Sequence, residues 1–283
     1  MNYATIAIIG AGTMGAHLAM DLGSCGHQVI LKDKEEAPLL AAEKRMKGDF
    51  RMFQMMRKDW KQKDLAEILS HIQFTTSYQH WEHVNLIIEN IPEDVVLKQQ
   101  LYQQLAAIAD KDVIYAVNTS CISITKVASW LPDPSKVIGT HFLNPVPLKE
   151  LVEVIKGYHT SAATIDFMRV FLRSIGKLPV LVNDATGFVA NRLSHLFMNE
   201  AAFLVQEGVA TPEDIDIIFR KGYGHAMGPL ETADLIGLDT VLHSLRILYD
   251  SYQDPKFRSC PLLEKMVAAG QLGKKTGAGF YKY

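Results

Sequence analysis

The chain has 283 residues, 48% of them hydrophobic, with a formal net charge of -2 and a pI near 6.6. That length exceeds what one hydrophobic core usually organises, so two domains are expected, and the balanced charge gives no reason to expect nucleic acid or a membrane as partner. Three cysteines, Cys25, Cys121 and Cys260, are widely spaced and lack a C-x-x-C grouping, which argues against a disulfide framework and against a zinc site, so no metal is expected. No run of about 18 apolar residues occurs, and the first short run leads straight into glycines, the pattern of a cytoplasmic protein.

Ala4 to Ile9 (ATIAII) is β-branched without polar alternation, as for a strand buried on both faces of a parallel sheet. Gly10-Ala-Gly12-Thr13-Met14-Gly15 follows, then AHLAMDLGSCG at helical spacing to Gly26, then a second strand, QVILKD, ending in Asp33. A lone G-x-G-x-x-G is weak. Between a buried strand and a helix, with an acid at the next strand end, it reads as a dinucleotide-binding turn. Gly10 permits the tight turn, Gly12 admits a pyrophosphate to the backbone, and Gly15 lets helix and strand pack closely. Asp33 would accept hydrogen bonds from the ribose hydroxyls and repel a 2'-phosphate, which favours NAD over NADP, although Lys32 and Lys34 soften that preference.

Residues 44 to 63 (KRMKGDFRMFQMMRKDWKQK) form a helical excursion reaching to about residue 70, with eight Lys or Arg against two Asp. Two readings stand: a solvated helical face with Met46, Met52, Met55 and Met56 packed inward, or a cationic patch holding a phosphorylated substrate handle. HVNLIIENI (83 to 91), DVIYAVNTS (112 to 120) and KVIGTHF (136 to 142) are three further strands, with a helix in VVLKQQLYQQLAAIA. Ligands bind beyond the carboxyl ends of such strands, which gathers Glu93, Asn118, Ser120 and His141 about one crevice. Glu153, alone in the apolar run LVEV, needs a partner, and His141 is the nearest group that can satisfy it and do chemistry.

After a mixed stretch that ends in a last strand at PVLV, strand runs cease near Asn183 to Ala185. TGFVANRLSHLFMNEAAFLVQE (186 to 207) has broad helical periodicity, ATPEDIDIIFRKG opens with Thr211 as N-cap and Pro212 in the first turn, and MGPLETADLIGLDTVLHSLRILYDSY supplies another helical pair. The expected fold is therefore α/β: a Rossmann-like, mostly parallel sheet domain over residues 1 to 184, then a smaller all-helical domain over 185 to 283 for substrate binding and dimerisation. A homodimer is expected because so small a helical domain, rich in Leu, Ile and Phe, needs a further surface to cover.

With the glycine turn, NTS, THFLNPVP, LVEV, GFVANR, HAMGP and KKTGAGFYKY in order along nearly the whole chain, the sequence resembles the short-chain L-3-hydroxyacyl-CoA dehydrogenase family, including 3-hydroxybutyryl-CoA dehydrogenases. The resemblance implies an NAD enzyme that reversibly oxidises the 3-hydroxyl of an acyl thioester. It places the catalytic histidine at His141 and its orienting glutamate at Glu153, and substrate contacts at Ser120 and Asn191. Glu93, Lys98 and Asn118 fall near the nicotinamide half of the cofactor. Histidine suits removal of the hydroxyl proton near neutral pH, and a carboxylate on its other nitrogen would fix its tautomer. Ser120 could instead cap the helix in ISITKVASW, and Cys121 reads as a small buried residue, not a nucleophile.

Three positions depart from the family pattern: Thr186 before GF, His17 after the glycine turn, and HFLNP for HFFNP. They leave the chemistry intact and bear on the substrate. Some relatives act on acyl groups tethered to an acyl carrier protein, whose phosphopantetheine arm is the one found in CoA, so both carriers stay open. A non-catalytic NAD-binding structural protein is a further alternative, opposed by the joint presence of Ser120, His141, Glu153 and Asn191. A 2-hydroxyacid or sugar-acid dehydrogenase of similar plan is opposed by the histidine and glutamate, since those relatives use a lysine base.

Overall fold

The structure, a computed structural model, describes residues 5–283 apart from residue 80, so the Ala4 end of the first strand lies outside the described residues. The chain divides into two compact units between Asp184 and Ala185. In the first, strands and helices alternate: β1 (Ile6–Ile9), α1 (Thr13–Ser24), β2 (Val29–Lys32), α2 (Glu36–Met56), α3 (Leu65–Ser70), β3 (Ile72–Thr75), β4 (Leu86–Glu89), α4 (Val95–Ile108), β5 (Ile114–Val117), α5 (Ile124–Ala128), β6 (Val137–Phe142), β7 (Leu151–Lys156), α6 (Ala162–Ser174) and β8 (Leu178–Asn183). They build an eight-stranded sheet in the order β3-β2-β1-β4-β5-β6-β7-β8.

Every neighbouring pair is parallel except β6 with β7, which is antiparallel. β1, β2 and β4 are buried along their whole length, which explains the apolar runs IAII, VIL and LII, the last two closed by the buried charged residues Lys32 and Glu89. Strand order reverses between β1 and β4, and ligands of open α/β sheets bind at such a point. The glycine turn leaves β1 there, beside the loop that leaves β4.

Three elements of this unit escape a reading by hydrophobic runs. β3 (IQFT) has only Ile72 fully buried, β7 runs against its neighbour, and α6 lies inside the stretch read as mixed. In the excursion, Leu39, Ala42, Met46, Phe50 and Phe53 form the buried stripe of α2. The inward packing expected of four methionines holds for Met46 alone: Met52, Met55 and Met56 are 39%, 72% and 64% exposed. At 100° per residue they are rotated off the stripe set by positions 39, 42, 46, 50 and 53.

The second unit is helical, with α7 (Ala190–Gln206), α8 (Pro212–Ile217), α9 (Pro229–Ile236), α10 (Leu238–Tyr252) and α11 (Pro261–Ala268). Its core gathers Met198, Ala202, Leu238, Leu242, Leu245 and Leu263. Thr211 caps α8 through the Asp214 amide, with Pro212 in the first turn, as the sequence indicates. The helix expected from Thr186 begins four residues later, because Gly187 and Phe188 both take positive φ (77° and 46°), which a helix cannot continue through.

Candidate active site

The glycine turn is built by steric necessity. Gly10 has φ +100°, and a Cβ there would lie 2.7 Å from the Asn90 carbonyl oxygen in the loop after β4. A Cβ on Gly15 would lie 1.8 Å from the Gly10 carbonyl oxygen, so α1 meets the turn more closely than any side chain allows. Gly12 is the opposite case, with nothing within 4 Å of where its Cβ would be. It is also the N-cap of α1 and provides no side-chain cap, which leaves the first amides of the helix to face an anion. Thr13 and Met14, both half-buried, stand between these glycines.

Asp33 follows β2 and ties down the same turn: Oδ2 accepts from the Ala11 amide at 2.7 Å and Oδ1 from the Lys34 amide at 2.7 Å. A carboxylate oxygen accepts more than one hydrogen, so capacity remains for two ribose hydroxyls. Lys32 is buried with its ammonium 4.0 Å above the Tyr78 ring, and Lys34 pairs with Glu35 at 3.4 Å. The residues present thus fit a dinucleotide, with an open backbone cradle for its pyrophosphate and an acid for its ribose.

Across the sheet, His141 and Glu153 are register partners on β6 and β7. Both are buried, at 6% and 3% exposure, and Nδ1 lies 2.7 Å from Oε2. An ionised carboxylate can only accept, so Nδ1 carries the hydrogen of this pair, and in the neutral imidazole Nε2 then keeps its lone pair. That nitrogen lies 3.3 Å from Ser120 Oγ, at the end of the segment after β5. The sheet therefore brings Ser120, His141 and Glu153 together in one line of hydrogen bonds.

Glu93 acts as a cap for the turn that carries Ser120. Its Oε1 accepts from the Thr119 hydroxyl and from the amides of Ser120 (3.0 Å), Cys121 (2.9 Å) and Ile122 (3.3 Å). Asn118 donates to Asn90 Oδ1 at 2.6 Å and accepts from the Phe142 amide at 3.2 Å, stitching β5 to the switch loop and to the residue after His141. Lys98 lies beneath these groups, wholly buried, with Nζ 2.6 Å from both oxygens of Glu89 and 4.0 Å from Glu93 Oε2. Burial pushes the Glu89 carboxyl above its usual range, and the Lys98 charge opposes that rise.

The alternative of Ser120 as helix cap is corrected here: α5 is capped by Ser123, whose hydroxyl accepts from the Lys126 amide and donates to Asp184 Oδ2. Cys121 is buried at 5% exposure. Asn191 belongs to the second unit, as the second residue of α7, half-buried, its carbonyl 2.8 Å from His195 Nδ1.

Two family models cover the described chain: the 3-hydroxyacyl-CoA dehydrogenase NAD binding domain matches residues 5–185, and the C-terminal domain of the same family matches residues 187–283. The chain belongs to the 3-hydroxyacyl-CoA dehydrogenase family. It is 43% identical to a 3-hydroxybutyryl-CoA dehydrogenase of Clostridioides difficile over 279 residues, 98% of this chain and 99% of that one. It is 36% identical to the mitochondrial hydroxyacyl-coenzyme A dehydrogenase of Sus scrofa over 290 residues, 98% of this chain and 90% of that one. Among solved structures, (S)-3-hydroxybutyryl-CoA dehydrogenase from Ralstonia eutropha superposes with a TM-score of 0.89 at 38% identity, covering 99% of this chain and 98% of that one. As a 3-hydroxyacyl-CoA dehydrogenase, the protein is an NAD-dependent oxidoreductase, and the glycine turn lies in its NAD-binding domain.

Asn90, Thr119 and Glu89 hydrogen-bond to these candidate residues, and sequence reasoning passed over them. Glu89 had a signal, a lone acid ending the apolar run LIIE, the same kind of signal that singles out Glu153. Asn90 and Thr119 had none, since short polar residues after a strand are ordinary loop composition.

Proposed function

We propose that the protein interconverts a short 3-hydroxyacyl-CoA, of the 3-hydroxybutyryl class, and its 3-oxo counterpart, with His141 as general base and Glu153 as its orienting partner. The observation that carries this is the hydrogen-bonded line Ser120, His141, Glu153. NAD, when bound, supplies the hydride acceptor. In the oxidative direction His141 Nε2 takes the 3-hydroxyl proton, and the pair of electrons left on oxygen forms the carbonyl as C3 gives up its hydride. Glu153 stabilises the imidazolium that results, and Ser120 Oγ, 3.3 Å from the same nitrogen, hydrogen-bonds the oxygen that loses its proton. The steps run backwards for reduction, with the imidazolium as acid.

Asp33 holds the adenosine ribose and the Gly10 to Gly15 turn the pyrophosphate. Glu93 and Asn118 frame the nicotinamide end, while Lys98 supports them from below. Asn191 contributes a hydrogen bond to substrate, as the family resemblance implies. The thioester carrier is CoA in this reading, with the carrier-protein thioester as the alternative. A homodimer is included on the strength of the apolar side chains exposed on the second unit, among them Leu193, Ile218, Tyr223 and Leu235.

The test is spectrophotometric. The purified protein should oxidise NADH with acetoacetyl-CoA, and His141→Ala should lose at least ~100-fold in kcat, the usual worth of a general base. Unchanged turnover in that variant removes the base, and a preference for the same acyl group on a carrier protein reassigns the substrate.

A further inference from the structure

We propose that Asp21, Arg57 and Lys177 are positioning residues for His141, joining the helix that begins at the glycine turn to the loop that connects His141 with Glu153. The proposal rests on the reading of His141 as base. Asp21 is fully buried on α1. Its Oδ1 lies 2.6 Å from Arg57 Nη1 and its Oδ2 2.6 Å from Lys177 Nζ, so one carboxylate holds two cations. Both cations then reach the loop 143–150. Arg57 Nη1 donates to the Pro147 carbonyl at 2.9 Å, and Lys177 Nζ donates to the carbonyls of Val146 at 2.7 Å and Lys149 at 3.0 Å. Arg57 is itself fixed by Asp59, at 2.6 Å from Nη2 and 3.1 Å from Nε, and by its guanidinium 5.0 Å from the Trp60 ring.

A helix that merely needed to pack would carry an apolar residue at this buried position, because removing the Asp21 carboxylate and the Lys177 ammonium from water, and most of the Arg57 side chain with them, is costly and their mutual attraction does little more than offset it. What the arrangement supplies is direction. Three carbonyls of the loop are aimed at cations whose places are set by α1. In an antiparallel pair the connecting loop fixes the register, and a slip of one residue would turn His141 or Glu153 to the opposite face. Eight residues N-terminal to Asp21, the same helix begins at Thr13, next to the glycine turn. The cluster therefore ties the base and its orienter to the element that receives the cofactor, where an error of about 1 Å can cost ~100-fold in rate.

The experiment compares Arg57→Ala, Lys177→Met, Arg57→Lys and His141→Asn in the full-length enzyme, alone and with Arg57→Ala combined with His141→Asn. kcat and KM are measured for NADH-dependent reduction of acetoacetyl-CoA, beside thermal unfolding. Arg57→Ala and Lys177→Met should lose ~10-fold or more in kcat with KM for NADH little changed, Arg57→Lys should recover part of it, and Arg57→Ala should cost nothing further once His141 is gone. Wild-type kcat in folded Arg57→Ala and Lys177→Met, with only a lower melting temperature, would overturn the proposal and leave the cluster a structural tie. Wild-type turnover in His141→Asn would instead defeat the base itself. Should Arg57→Ala not fold, Lys177→Met and Arg57→Lys carry the comparison with the same opposed outcomes.

Discussion

His141 and Glu153 face each other across the β6–β7 register, with Nδ1 and Oε2 2.7 Å apart. The pairing makes the tautomer depend on Glu153 being an acceptor. In Glu153→Gln the amide can present its NH2 instead, moving the ring hydrogen to Nε2, where it blocks proton uptake. The expected result is a fall in kcat of ~100-fold or more with NADH affinity kept, read from steady-state rates and from fluorescence titration of NADH. A Glu153→Gln enzyme at full speed would show that the carboxylate serves folding only.

Two serines three residues apart should separate chemistry from stability. Ser120 Oγ lies 3.3 Å from His141 Nε2, whereas Ser123 caps α5. Ser120→Ala should lower kcat/KM by ~10-fold or more, about the worth of one hydrogen bond to a charged group, without shifting the urea midpoint. Ser123→Ala should do the reverse, losing about 1 kcal/mol of stability while keeping its turnover. If the two phenotypes exchange, the assignment of the serines is wrong.

The case of Lys98 is sharper because the whole side chain is buried against Glu89. Removing one member of a buried pair leaves the other charge uncompensated, and burial already pushes the Glu89 carboxyl up. Lys98→Met should therefore destabilise the protein by about 3–5 kcal/mol in urea denaturation. A lysine whose whole role was to touch the cofactor would weaken NAD binding and leave the unfolding curve in place.

These residues also show what the sequence could and could not disclose. β1, β2 and β4 to β6 were legible because strands buried on both faces are dominated by apolar runs, and Glu153 was legible because a lone acid in such a run must find a partner. β3 was hidden by its polar, half-exposed positions, and the antiparallel turn of β7 by the fact that direction leaves no mark on composition. The methionines of α2 misled because methionine is apolar at any angle around a helix, and only the stripe through Leu39, Met46 and Phe53 decides which of them is inside. Asp21, Arg57 and Lys177 are far apart in the chain and meet only once the sheet has formed, so no local pattern could join them.

Cys25 offers a check on the reading of the thiols. It is the exposed one of the three cysteines, lining a cavity of about 240 Å³ with Lys63, Glu67 and His71 just past the end of α1. Partial shielding of its sulfur pushes the thiol pKa up, and the nearby Asp21 charge pushes it further the same way. A raised pKa means less thiolate at any given pH, and the thiolate is the nucleophile. Iodoacetamide at pH 7 should thus label Cys25 more slowly than an ordinary cysteine, with the rate still climbing above pH ~8.5, where a free thiol has half ionised. Labelling should leave NADH binding intact, because a 12-residue helix separates Cys25 from the glycine turn by about 18 Å. Peptide mass spectrometry against a fluorescence titration of NADH decides the matter: fast labelling at neutral pH would contradict the raised pKa, and loss of NADH binding in step with labelling would contradict the separation of Cys25 from the glycine turn.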